Sequence, residues 1–111
     1  WINICYVKLH TDKNVVDIGE AACSFPEQAL IGALRDLDPC LIGVNASEIE
    51  KIWSLIYRTA FWRGGPVLIG ALSGVKHALW NIKGQAINVP VYELIGGMYR
   101  HQVKVYARVV W

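Results

Sequence analysis

Residues 61–97, FWRGGPVLIGALSGVKHALWNIKGQAINVPVYELIGG, constrain the fold of this chain more than any other stretch. Gly64-Gly65 ends one helix, and Pro66 suits the first turn of the next, where a missing N–H leaves nothing unsatisfied. Leu68, Leu72, Val75, Leu79, Ile82 and Ala86 then recur every three to four residues, which predicts a helix over Pro66–Ala86. At ~1.5 Å per residue it spans about 30 Å, a domain's width. Gly70 and Gly74 share one face of it and predict close approach by another element, at a small propensity cost. Pro90 opens a helix of little more than a turn, running through Leu94, and Gly96-Gly97 ends it.

Upstream, 2–9 and 15–21 are rich in β-branched and aromatic residues, and His10-Thr11-Asp12-Lys13-Asn14 separates them with turn chemistry. An antiparallel hairpin is predicted, with Asp12 or Asn14 suited to a positive φ. Asp17 is expected to face water or a loop, and Glu20 to be exposed at the strand end. A helix is predicted from Phe25-Pro26-Glu27 to about Leu37. Its stripe is Ala29, Leu30, Ala33, Leu34 and Leu37, and Asp38-Pro39 should stop it because the residue before proline is steered away from helical angles. Ser47-Glu48-Ile49-Glu50 reads as a capping box for a helix whose core face is Ile49, Ile52, Trp53, Ile56 and Ala60. Val103–Val110 alternates like a final strand.

The order, two strands, four helices and a strand, predicts an α+β fold: an antiparallel hairpin followed by a helical bundle. A hairpin makes a poor sheet alone, and the last strand has no partner in sight. The chain begins and ends inside strand-like runs, without an initiator methionine, so both ends read as cut.

Composition bounds the function. With 54% apolar and 18% charged residues in 111, disorder is not expected. A net charge of +2 from scattered basic residues argues against nucleic acid. No apolar run approaches the ~20 residues of a membrane span, and no signal peptide is visible. Cys5, Cys23 and Cys40 are odd in number and lack CxxC spacing, which reads as reduced thiols in a cytoplasmic protein. His10, His77 and His101 lack metal-ligand spacing. Glu20 and Glu93 read as a strand-end surface acid and a first-turn helix acid, in place of a catalytic pair.

Val7-Lys8-Leu9 with Gly19-Glu20-Ala21, Tyr57-Arg58, Phe61 to Pro66, Ala71 to Gly74, Ala78-Leu79-Trp80, Ile82-Lys83-Gly84, Val89 to Leu94 and Gly96-Gly97 form an ordered set. On those residues the chain resembles the N-terminal capping domain of the mandelate racemase/muconate lactonizing branch of the enolase superfamily. Within that branch it is most similar to galactonate dehydratase-type sugar acid dehydratases. The resemblance implies a capping domain over 1–97, lacking its first strand, and the start of a truncated TIM-barrel domain over 98–111. It implies a parent hydro-lyase that eliminates water from an aldonic acid through an enediolate, with Mg2+ held by three barrel acids. That parent would be a homo-oligomer, and this segment's partner would be its own barrel. Neither metal nor catalytic residue is carried over: no Asp or Glu follows Glu93, and Lys104-Val105-Tyr106 is not the Lys-x-Lys base motif. The fragment is expected to be inactive and to bind no cofactor.

Trp62, Arg63 and Gly64 are the candidate substrate contacts, in a loop leaning over the barrel mouth, because a guanidinium pairs bidentately with a carboxylate. The structural alternative is that Arg63 pairs with an acid or caps a helix carbonyl. The family usually places acids where Lys76 and Asn81 stand here. Such a change reverses any ion pair built there, and an unpaired buried charge costs ~3–5 kcal/mol. A non-catalytic remnant or self-association module, or a racemase or cycloisomerase of the same superfamily, stays open as an alternative.

Overall fold

Asn14 turns the chain back on itself. It adopts φ 58, a left-handed conformation that asparagine tolerates better than most residues. Thr11 closes the loop with both its backbone and its hydroxyl: its N–H and Oγ1 donate to the Val15 carbonyl at 3.1 and 2.9 Å, and Oγ1 accepts from the Val15 N–H at 3.1 Å. The hairpin that results pairs β1 (Cys5–His10) with β2 (Val16–Ala21) antiparallel, in a register that sets Val7 against Gly19. The computed structural model describes residues 3–22 and 27–107, which hold this two-stranded sheet and four helices: α1 (Glu27–Leu41), α2 (Ile49–Thr59), α3 (Pro66–Ile87) and α4 (Val91–Leu94).

Alternation on β1 sends Cys5, Val7 and Leu9 inward and Tyr6, Lys8 and His10 outward. The inward set meets α3, the hub of the fold. Gly19 of β2 crosses Gly74 of α3 so closely that a Cβ on Gly19 would stand 1.9 Å from the Gly74 carbonyl oxygen. Ala21 packs against the same glycine, and Gly70 passes beneath the Ala22 carbonyl. Those two glycines are needed because the Ala21–Ala22 segment, its backbone and the Ala21 methyl together, lies against this face of the helix. The core then fills from α1 (Leu30, Leu37), α2 (Ile49, Ile52, Ile56) and α3 (Ala71, Leu72, Val75, Leu79). Each set falls on the face that its sequence spacing predicts.

Three expectations are corrected. Pro39 does not end α1, which continues to Leu41. The hydrogen bond that proline removes would have gone to the carbonyl of exposed Arg35, while Leu37 and Leu41 keep their core contacts and the Ile42 N–H still donates to the Asp38 carbonyl at 3.2 Å. The capping box does not form. Glu48 is the N-cap without a side-chain bond, the Ser47 hydroxyl donates to Asn45 Oδ1 at 2.8 Å, and Glu50 reaches α3 instead. Residues 103–107 form no strand; Val103, Val105 and Tyr106 are exposed, with no ladder partner. The rest of that run, 108–110, lies outside the described residues, as do Cys23, Phe25 and Pro26.

Asn88 ends α3 in the left-handed conformation, with its N–H on the Gln85 carbonyl and the Val89 N–H on the Gly84 carbonyl at 2.9 Å. This returns the chain through Pro90 into α4. Among the described residues no helix is long and apolar enough to cross a membrane.

Candidate functional site

The loop between α2 and α3 is built by its ends. Ala60 leaves α2 in extended conformation (φ −77, ψ 133), and Gly64 and Gly65 both take positive φ, 83 and 81. A Cβ would strain either glycine, so the glycine pair fixes the angle at which the chain enters α3. Pro66 follows as the first helical residue, and the Ile69 N–H closes the first turn on the Gly65 carbonyl at 3.0 Å.

Held between these two hinges, Phe61 and Trp62 project outward, 88% and 83% exposed. Their rings meet edge to face, with centroids 5.2 Å apart and planes at 84°, a preferred aromatic geometry. Arg63 is exposed beside them. The alternative anticipated for it, an ion pair with an acid or a helix carbonyl cap, is not formed among the described residues. Among the described residues its guanidinium has no hydrogen-bond or ion-pair partner.

Gly64 also lines a groove of about 430 Å³ between α1, α2 and α3. The hollow comes from α1, where Ala29, Gly32, Ala33 and Asp36 follow one another at i, i+3, i+4 and i+7 and present small side chains to one side. Leu37, Ile56, Leu68 and Leu72 form its floor and walls, with Asp36 and Thr59 among the polar groups of the lining. Sequence reading did not single out Asp36. The signal that could have found it is the small-residue stripe, which the apolar stripe of Leu30, Leu34 and Leu37 masks.

The other candidates do not assemble. His10 closes β1, His77 is on exposed α3 surface, and His101 follows α4; among the described residues no three His, Cys, Asp or Glu side chains come together to hold a metal ion. The described residues therefore do not fit Mg2+, and no metal step is derived for them. Glu20 and Glu93 are exposed on β2 and α4. Cys5 and Cys40 are free, half-buried thiols.

Lys76, where an unpaired buried charge was anticipated, is neither unpaired nor deeply buried. Its Nζ lies 2.8 Å from Glu50 Oε1, with the side chain 30% exposed. Asn81 donates from Nδ2 to the Ile18 carbonyl at 3.2 Å. Next to it, Gln85 donates to Asp17, whose other oxygen accepts the Ile18 N–H at 2.7 Å. Both departures from the expected acids are satisfied by their surroundings.

Comparison with known proteins agrees with this architecture. The model of the mandelate racemase / muconate lactonizing enzyme N-terminal domain matches residues 3–96. The chain is 40% identical over 102 residues to D-galactonate dehydratase of Pectobacterium atrosepticum and 38% identical to that of Klebsiella pneumoniae. Each match covers 92% of this chain and 27% of the relative, so the chain spans about a quarter of the length of these curated relatives. An enolase crystal structure from Pantoea ananatis, with bound D-gluconate and Mg, superposes with a TM-score of 0.85 at 40% identity, over 89% of this chain and 24% of that one. An enolase superfamily member from Salmonella Typhimurium gives a TM-score of 0.85 at 36% identity, over 92% of this chain and 27% of that one. With a family model matching residues 3–96 and this fold beneath it, the chain belongs to the mandelate racemase / muconate lactonizing enzyme family, as its N-terminal domain.

Proposed function

We propose that this chain is the capping domain of a Mg2+-dependent sugar acid dehydratase and that the reactive groups stand on a barrel domain, of which residues 98–111 are the start. The observation that carries this reading is 40% identity to a D-galactonate dehydratase across 92% of the chain. The D-gluconate held by the Pantoea ananatis relative points to the same substrate class, an aldonic acid.

The reaction is a β-elimination. The proton on the carbon next to the carboxylate leaves to a base, hydroxide departs from the neighbouring carbon with a proton as water, and the enol formed tautomerises to a 2-keto-3-deoxy acid. In the parent, acids of the barrel domain would hold Mg2+, which would supply charge stabilisation to the substrate carboxylate. This chain contributes positioning. Trp62, Arg63 and Gly64 lean over the mouth of the barrel, where the Arg63 guanidinium pairs with the substrate carboxylate in a fork and Trp62 excludes water. The exposure of Arg63 and Trp62, and the lack of a partner for Arg63 among the described residues, support that assignment. The parent works in the cytoplasm as a homo-oligomer.

Incubation of the purified chain with Mg2+ and D-galactonate or D-gluconate tests where the chemistry is housed. No 2-keto-3-deoxy acid is expected. Mg2+-dependent turnover by these 111 residues alone would overturn the reading.

A further inference from the structure

Gly65 takes φ 81 and ψ 158, a combination open almost to glycine alone. Two ordinary reasons for a glycine do not apply there. A Cβ on it would meet nothing within 4 Å, so no neighbour demands the space. Entry into α3 does not demand it either. A residue before proline normally takes φ of about −120° with ψ of about 120–160°, and the ψ of Gly65 already lies in that range. Only the sign of φ is unusual. The C-terminal side of Gly65 is tied down, since its carbonyl accepts the Ile69 N–H at 3.0 Å and Pro66 continues the helix. Rotation about its N–Cα bond is therefore taken up on the loop side, by Gly64, Arg63 and Trp62.

We propose that Gly65 is a positioning residue: its left-handed φ sets where Arg63 stands, and through Arg63 it acts on the carboxylate of the aldonic acid. This rests on the proposed contact between Arg63 and that carboxylate. Among the described residues the guanidinium has no hydrogen-bond or ion-pair partner, so no side chain aims it and the backbone is the remaining determinant. On the other side of Arg63 the loop is braced, with the Phe61 and Trp62 rings edge to face at 5.2 Å. An L side chain at position 65 would favour negative φ and turn Arg63 away, although nothing is crowded. A bidentate fork tolerates such a displacement poorly, because both N–H groups must face both oxygens.

In the 111-residue chain, Gly65→Ala should keep the fold and move the backbone amide resonances of Trp62 and Arg63, leaving those of Leu72, Val75 and Leu79 in α3 where they are. Unmoved Trp62 and Arg63 resonances would overturn the proposal, and so would changes that run through α3. The consequence for substrate is read in a chimera that sets residues 1–97 on the barrel of the Pectobacterium atrosepticum D-galactonate dehydratase. There Gly65→Ala should raise KM for D-galactonate about 10-fold or more, with kcat nearly unchanged. Added to Arg63→Ala it should raise KM no further, because a residue that acts through Arg63 then has nothing to act on. Two outcomes would overturn the positioning role and leave the substrate reading standing: effects that multiply, or a KM raised by Arg63→Ala but not by Gly65→Ala. An unchanged KM in Arg63→Ala would instead remove the substrate reading itself, and the proposal with it.

Discussion

Lys76 on α3 holds Glu50 on α2, Nζ to Oε1 at 2.8 Å, and lies 5.7 Å from the centre of the Trp53 ring, which itself stacks on Tyr57 at 4.9 Å. One cation therefore ties two helices by an ion pair and a ring face at once. Glu50 is the residue whose carboxylate would have completed a capping box on its own helix, so the cross-helix partner has displaced the local one.

Reversing that charge should be felt modestly, because Glu50 is well exposed and water screens the pair. Lys76→Glu is expected to destabilise the chain by about 1 kcal/mol, from loss of the pair and of the cation–π contact. The double variant K76E/E50K should recover part of that loss, and the coupling should shrink in high salt. Urea unfolding of the four proteins at two ionic strengths measures it; absence of coupling at low salt would contradict the assigned pair.

The Gly19–Gly74 crossing predicts a sharper effect. Gly74→Ala puts a methyl 2.7 Å from the Ala21 Cβ, and Gly19→Ala puts one against the Gly74 carbonyl oxygen. Overpacking of this kind costs ~1–3 kcal/mol, and Gly19→Ala should lie at or beyond the upper end because the obstacle is backbone. Gly32 is the control, since a Cβ there meets nothing within 4 Å. Gly32→Ala should stabilise α1 by ~0.5–1 kcal/mol. Thermal melts of the three variants decide the matter by sign.

Core truncation at Leu30, 1% exposed, should cost ~2–5 kcal/mol. Leu68 lies at the groove, half-buried, and Leu68→Ala should cost clearly less. Comparable losses at the two sites, measured by denaturant midpoints, would place the core elsewhere.

An acid at position 81 should destabilise this chain. Asn81 donates to the Ile18 carbonyl, and a carboxylate there would set acceptor against acceptor. Asn81→Asp is expected to cost about 1 kcal/mol at neutral pH, with faster amide exchange in β2. Unchanged exchange would show that the contact does not hold the strand.

Much of this fold was legible because its signals are local. The polar run His10 to Asn14 marked the hairpin turn, with Asn14 rather than Asp12 taking the positive φ, the three-to-four residue spacing from Leu68 to Ile82 marked α3, and Gly70 with Gly74 marked a close crossing. The misreadings came where a tertiary partner outbid a local rule. Pro39 stays helical because Leu41 is held by the core, and Glu50 turns from its own helix end to Lys76. The strand expected from the alternation of residues 103–107 has no ladder partner among the described residues. Pattern can describe a strand's faces, whereas its ladder needs a neighbour. In the candidate site, the exposed Trp62–Arg63 turn and its glycine hinges could be read from residue types alone. The groove beside it could not, since a hollow is made by what three helices leave unfilled.

A cap whose parent keeps its reactive groups on a separate barrel should be transplantable between relatives. The most direct measurement is D-galactonate dehydration by a chimera in which residues 1–97 replace the matching cap of the Pectobacterium atrosepticum D-galactonate dehydratase. A folded chimera is expected whose kcat stays within about tenfold of the parent, with Arg63→Ala then raising KM more than it lowers kcat, as loss of ground-state carboxylate binding requires. A chimera that folds as stably as the parent yet forms no 2-keto-3-deoxy acid would contradict it.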